Sequence, residues 1–173
     1  TPQGIIAVCE MRSKRLDDFL ASGKMLLVLD RVTDPGNIGT MLRTADAAGV
    51  GGLLLLQGCA DIYAPKTVRA SMGSLFHLPV LSGLSEELLV QAARKAGYEL
   101  LVTCLDGADN LYKADLQGRI AFVMGNEANG VSPALLAAAD KRVFIPMQGR
   151  AESLNVAMAA GIVMFEALRQ KLK

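Results

Sequence analysis

Three short segments hold the residue types able to bind and react. In the first, Asp34-Pro35-Gly36-Asn37-Ile38-Gly39, a turn former is followed by an amide suited to capping a helix and a glycine that admits a neighbouring backbone. Arg43 comes six residues after Asn37, about one and a half turns into the helix that such a cap would start. A helix start of this kind attracts phosphate or carboxylate. The plain alternative is a structural cap at Asn37 and a surface pair between Arg43 and Asp46.

The second segment, Met124-Gly125-Asn126-Glu127-Ala128-Asn129-Gly130, runs from an apolar stretch into a turn. Gly125 and Gly130 permit backbone angles that present main-chain amides and carbonyls to a ligand, and Glu127 is a candidate functional carboxylate. Read plainly, Glu127 is a solvated loop acid and Ser132 caps the next helix. The third segment runs from Ile145-Pro146-Met147 to Ser153-Leu154-Asn155. Ser153 reads as an N-cap, which places Asn155 two residues inside the helix, where a buried amide needs specific partners. Beyond it, Leu154, Ala157, Met158, Gly161, Ile162, Phe165 and Leu168 recur at three- and four-residue steps, the pattern of a core or subunit-contact face.

These segments need a scaffold, and the rest of the chain supplies one. Apolar runs at 25–30, 52–56, 76–81, 98–105, 120–125 and 142–147 read as six strands. Most are apolar at successive positions, as in strands covered on both faces, which predicts a parallel sheet. Stretches 38–48, 65–71, 86–96, 133–139 and 154–172 read as helices, with Pro65 and Pro133 at first-turn positions and Gly49 and Gly97 at helix ends. Alternating strand and helix predicts an open α/β sheet with helices on both faces. In such sheets ligands bind beyond the carboxyl ends of the strands, where all three segments fall.

Composition narrows the function classes. With 35 charged residues among 173 and 51% apolar, the chain reads as one globular domain with a sizeable core. The longest apolar stretch, Val156–Phe165, is shorter than the ~17–25 residues of a membrane span. The opening Thr1-Pro2-Gln3-Gly4-Ile5 has neither an initiator Met nor the pattern of a signal peptide. Cys9, Cys59 and Cys104 form neither a disulfide framework nor a metal knuckle and fit a reducing, cytoplasmic setting. The single histidine, His77, reads as a half-buried strand residue, so no structural metal and no histidine-based triad is expected. A net charge of +1 means that any nucleic-acid binding must rest on local clusters.

Taken together and in order, D-P-x-N-x-G-x-x-x-R-T-A, G-N-E-x-x-G-V and I-P-M-x-G-x-x-x-S-L-N-V-A-x-A resemble the three signature motifs of the SpoU/TrmH branch of the SPOUT RNA methyltransferases, over about residues 25–172. Ala128 stands where many members have glycine, a change that removes no functional side chain. The resemblance implies transfer of a methyl group from S-adenosyl-L-methionine to a ribose 2'-hydroxyl of RNA, rRNA of the 23S type before tRNA. It implies a C-terminal deep trefoil knot, a homodimer, and a single catalytic domain over 1–173 that follows an RNA-binding domain in longer members.

By the same resemblance Asn37, Arg43, Glu127, Ser153 and Asn155 form the active-site set, while Met124, Gly125, Ile145, Met147 and Leu154 hold the methyl donor. Arg31, Lys66, Arg69 and Arg150 are scattered basic candidates for RNA contact. Two other classes compete. A dehydrogenase-like nucleotide-binding domain would use Pro-Gly-Asn-Ile-Gly, but it lacks G-x-G-x-x-G and has Gln57 where an acid is expected. A non-catalytic RNA-binding module would not require the full polar set.

Overall fold

The computed structural model describes residues 4, 7–10, 14–105 and 107–172; of the opening Thr1–Ile5 read above, only Gly4 is among them. The elements are α1 (Leu16–Ala21), β1 (Leu26–Leu29), α2 (Pro35–Ala47), β2 (Gly52–Leu56), α3 (Pro65–Ser71), β3 (Val80–Leu84), α4 (Glu86–Lys95), β4 (Glu99–Thr103), β5 (Asp109–Asn110), β6 (Ile120–Met124), α5 (Pro133–Ala138), β7 (Lys141–Phe144) and α6 (Val156–Lys171). Short 3-10 turns occupy Ser74–Phe76 and Leu111–Lys113. The strands form one sheet in the order β3-β2-β1-β6-β4-β7-β5, with every described pairing parallel.

Strand alternation divides the core in two. Leu27, Leu29, Leu53, Leu55, Leu101, Phe122 and Met124 point to one face, where α2 contributes Ile38, Met41, Leu42 and Ala45 and α6 contributes Val156, Ala160, Val163 and Met164. Leu26, Val28, Leu54, Leu100, Val102 and Val123 point to the other, against Phe19 and Leu20 of α1, Leu89 and Ala93 of α4 and Leu135 of α5. Burial on both sides explains why the central strands are continuously apolar. Truncating one of these side chains, Leu27 for example, should cost about 2–5 kcal/mol.

Several boundaries differ from the sequence reading. The sheet has seven strands, not six. The additional one, β5, is two polar residues long and carries no apolar signature. The strand expected at 76–81 lies at Val80–Leu84. As an edge strand it exposes Ser82 and Gly83, so an apolar run does not mark it. His77, expected in a strand, is exposed after a 3-10 turn, with Nδ1 3.3 Å from Asp46 Oδ2. That contact also takes the acid provisionally paired with Arg43.

Helix α2 begins at Pro35 rather than Ile38, because Asp34 and not Asn37 is its cap: the Asp34 carboxylate accepts from the amides of Gly36 and Asn37, and Pro35 has no N–H to satisfy. Helix α6 begins at Val156, capped by Asn155 and not by Ser153. Both shifts release a polar residue of the motifs for other work. Gly39 fulfils the close-approach role expected of it. A methyl there would lie 2.5 Å from Ala70 Cβ and 2.6 Å from Thr67 O, so α2 and α3 pack only around a glycine.

Since the strands are parallel, Leu29, Leu56, Thr103, Met124 and Phe144 all end at the same edge of the sheet. The loops that follow them, including all three motif segments, gather there.

Candidate active site

One chain of side-chain hydrogen bonds joins the three motifs. Asn155 Oδ1 caps α6 by accepting from the amides of Ala157 (2.9 Å) and Met158 (3.3 Å). Its Nδ2 donates to Asn37 Oδ1 at 3.0 Å, and Asn37 Nδ2 donates to Glu127 Oε1 at 2.8 Å. Residues 118 and 90 positions apart in sequence are thereby held in one row. Both groups of the Asn37 amide are engaged, which fixes its rotation, and Glu127 is held as an exposed carboxylate.

Arg43 and Ser153 are not part of this row. Six residues of helix turn through about 600°, so Arg43 lies about 120° around α2 from Asn37. Its exposed guanidinium has no ion pair or hydrogen bond among the described residues. Ser153 is also exposed and has no hydrogen bond among the described residues. Of the basic candidates, Arg31 and Lys66 already hold carboxylates. Lys66 Nζ lies 3.1 Å from Asp34 Oδ2, and this contact, with the Gly36 and Asn37 amides, lowers the Asp34 carboxyl below the usual range. Arg31 forms a forked pair with Asp30, which raises the guanidinium above its ordinary value. Arg69 and Arg150 are exposed and uncommitted among the described residues.

The donor-site candidates divide by burial. Met124 and Gly125 are buried, Ile145 is half-buried, and Met147 and Leu154 are 37% and 40% exposed. The turn between Gly125 and Gly130 is closed by paired bonds between Asn126 and Gly130, 3.0 and 2.8 Å long. Gly130 has φ of +66°, whereas Gly125 is needed for a different reason: a methyl there would overlap the backbone of Gly130 and Val131. From Met147 to Leu154, by contrast, no main-chain amide or carbonyl is bonded within the described residues. Such a segment, at the same edge of the sheet as the turn after buried Gly125, suits a ligand with several hydrogen-bonding groups.

Sequence reasoning missed three residues here: Asp34, the true cap; Asp30, fully buried at the end of β1; and Asn126, whose Nδ2 donates to Arg31 O at 2.8 Å. A lone acid closing the apolar run Met-Leu-Leu-Val-Leu-Asp was the available signal for Asp30. No group of three His, Cys, Asp or Glu side chains suited to a metal occurs among the described residues, nor does a helix long and apolar enough to cross a membrane. A groove of about 460 Å³ between α1 and α4, at the opposite end of the sheet, contains none of the motif residues.

A parallel α/β sheet with this row at its carboxyl edge defines an α/β domain with a polar site where such sheets bind ligands, and comparison with known proteins specifies the family. The SpoU rRNA Methylase family matches residues 24–165, and the chain belongs to it. It is 40% identical to the 23S rRNA (guanosine(2553)-2'-O)-methyltransferase RlmP of Bacillus subtilis over 95% of this chain and 64% of that protein. It is 41% identical to the 23S rRNA (uridine(2479)-2'-O)-methyltransferase of Streptomyces viridochromogenes over 99% of this chain and 62% of that one. Among solved structures, an AdoMet-bound rRNA methyltransferase from Sinorhizobium meliloti superposes with a TM-score of 0.89 at 39% identity, covering 95% of this chain and 63% of that one. The chain thus spans somewhat less than two thirds of the length of these relatives.

Proposed function

We propose that this domain transfers the methyl group of S-adenosylmethionine to a ribose 2'-hydroxyl of RNA, with 23S-type rRNA as the acceptor. The observation that carries this reading is the row Asn155–Asn37–Glu127, which joins all three motifs in a chain of the SpoU family. The similar proteins named above act on rRNA riboses, and one structure among them holds AdoMet. When bound, the donor supplies an electrophilic methyl carbon on a sulfonium.

In this reading the unpaired main-chain groups of Met147–Leu154, together with Gly125 and Ile145, hold the donor, and Met124 forms the buried floor. The 2'-hydroxyl is a weak nucleophile, so alignment and stabilisation of the developing negative charge must lower the barrier; alignment alone can supply about 7–11 kcal/mol. Arg43, exposed and uncommitted, clamps an RNA phosphate and steadies the negative charge that develops on the 2'-oxygen as its proton passes to solvent. A guanidinium stays protonated in proteins and so does not act as a base. Asn37, Asn155 and Ser153 orient the ribose, and Glu127 orders the row. Arg69 and Arg150 add phosphate contacts, whereas Arg31 and Lys66 are held by their own carboxylates.

The C-terminal segment forms the deep trefoil knot of this class; the placement of β6 between β1 and β4, and the return of α6 onto α2, support it. The working form is a homodimer in the cytoplasm. The exposed stripe of Met158, Phe165 and Leu172 along α6 supports the dimer.

The test is incubation with methyl-labelled S-adenosylmethionine and separate rRNA and tRNA pools, followed by nucleoside analysis. Label recovered as a 2'-O-methylated nucleoside from rRNA is expected. Label on tRNA alone changes the acceptor, and label on a base or nowhere overturns the reading. A thermal shift with S-adenosylhomocysteine and none with NAD separates this reading from a dehydrogenase-like one.

A further inference from the structure

Both ends of the loop that carries Glu127 are fastened to one dipeptide. At the front, Asn126 Nδ2 donates to the carbonyl of Arg31 at 2.8 Å; at the back, the amide of Ser132 donates to Asp30 Oδ2 at 2.7 Å. Asp30 is fully buried, and its two oxygens also take Arg31 Nε at 2.9 Å and Nη2 at 3.1 Å. Arg31 adopts φ of +52°, a left-handed conformation that a side chain with a Cβ disfavours. That bend lets the guanidinium return to its own neighbour while the carbonyl meets Asn126. The Arg31 stem also packs over Gly58, whose added Cβ would lie 3.1 Å from Arg31 Cγ.

We infer that the Asp30–Arg31 pair is a positioning unit for methyl transfer: it fixes the loop 126–132 so that Glu127 meets Asn37. Arg31 acts through Glu127 and not as an RNA contact. The inference rests on the methyltransferase reading above. Asn126 also accepts from the amides of Ala128 and Asn129 (3.0 and 3.1 Å), so the fastening at Arg31 passes directly into the turn around Glu127. Displacing a reacting arrangement by about 1 Å can cost 100-fold in rate.

The test is a double-mutant cycle on kcat and on KM for RNA, using the wild-type chain, Arg31→Lys, Glu127→Ala and the double variant, with melting curves recorded for each. Lysine keeps the charge and loses the fork. Arg31→Lys is expected to lower kcat about 10- to 100-fold while KM for RNA stays within about threefold. In the Glu127→Ala background it should lower kcat no further. Asn126→Ala, which cuts one fastening and leaves the ion pair, should behave in the same way and carries the test if Arg31→Lys does not fold.

Effects that multiply instead of merging overturn the inference, as does wild-type kcat in either Arg31→Lys or Glu127→Ala. A rise in KM for RNA at constant kcat overturns it by making Arg31 a phosphate contact. Loss of the fold in both Arg31→Lys and Asn126→Ala assigns the pair to stability alone and also overturns it. A wild-type chain that methylates no RNA removes the functional reading, and this inference with it; an active wild type with a multiplicative cycle removes only the inference.

Discussion

On one side of the Asn155–Asn37–Glu127 row, Asp30–Asn37 and Asn126–Ser132 satisfy one another's polar groups: a buried carboxylate, a forked ion pair, a capped helix and a closed turn. On the other, Met147–Leu154 has no main-chain partner among the described residues and lies exposed. In the proposed reading the contrast separates two tasks. Groups that orient a reacting ribose work best when already held in place, because little reorganisation is then required during the reaction. Groups that grip a small ligand must be open to it, and unpaired amides and carbonyls provide that. Asn155 stands at the junction, capping α6 with its oxygen and reaching Asn37 with its nitrogen.

The sharpest way to break this contrast is to damage the closed side at its tightest point. Gly125→Ala places a methyl into the backbone of Gly130 and Val131, neither of which can rotate away. A loss of about 3 kcal/mol is expected, seen as a fall of about 6–12 °C in thermal melting. A melting point within about 2 °C of wild type would show that the turn is looser than its geometry.

At the junction, two substitutions separate capping from relay. Asn155→Ala removes both and should lose about 1 kcal/mol of stability along with turnover. Asn155→Ser keeps a capping oxygen but is too short to reach Asn37, so turnover should fall as far while melting stays close to wild type. Equal turnover in Asn155→Ser and wild type would remove the relay from the reaction.

Hydrogen exchange compares the two sides directly. Adding S-adenosylhomocysteine should slow exchange of the amides within 147–154 while Ala128 and Asn129, already bonded to Asn126, change little. Protection appearing first on the closed side would reverse the assignment.

The smallest effect depends on pH. The carboxyl of Asp34 is held below its ordinary value, first by Lys66 and then by the amides it caps. A depressed folded value means that its contribution to stability is complete above the unfolded carboxylate range near ~4 and is lost as pH falls towards the folded value. Lys66→Ala should therefore lower the melting point slightly at neutral pH, where the contribution is complete, with the difference from wild type vanishing in acid; an unchanged melting point at neutral pH would argue against the pair.

Much of this is legible in the sequence alone. Continuous apolar runs gave β1, β2, β4 and β6 because both faces of a parallel sheet are covered, and the sheet type then gathered the motif loops at one edge. The starts of α3, α4 and α5 agree with the sequence reading, whereas those of α2 and α6 differ by three and two residues because several residues near each are suitable caps. Asp34 preceded by Thr33 competes with Asn37, and Ser153 competes with Asn155; only the geometry decides which oxygen reaches the free amides. That outcome matters, since Asn37 is free to bridge Asn155 and Glu127 only because Asp34 does the capping. The Asp30–Arg31 unit was hidden for another reason: a buried acid paired with its own neighbour leaves no spacing pattern, and the bend that joins them is a backbone property of a residue other than glycine.

The most direct measurement is the single-turnover rate of methyl transfer with Arg43→Lys at saturating donor. The expected result is a fall of about 100-fold or more with an unchanged S-adenosylhomocysteine thermal shift, because charge is kept while the fork that holds phosphate and alkoxide is lost. A rate close to wild type would contradict the clamp, and with it the proposed stabilisation of the 2'-oxygen.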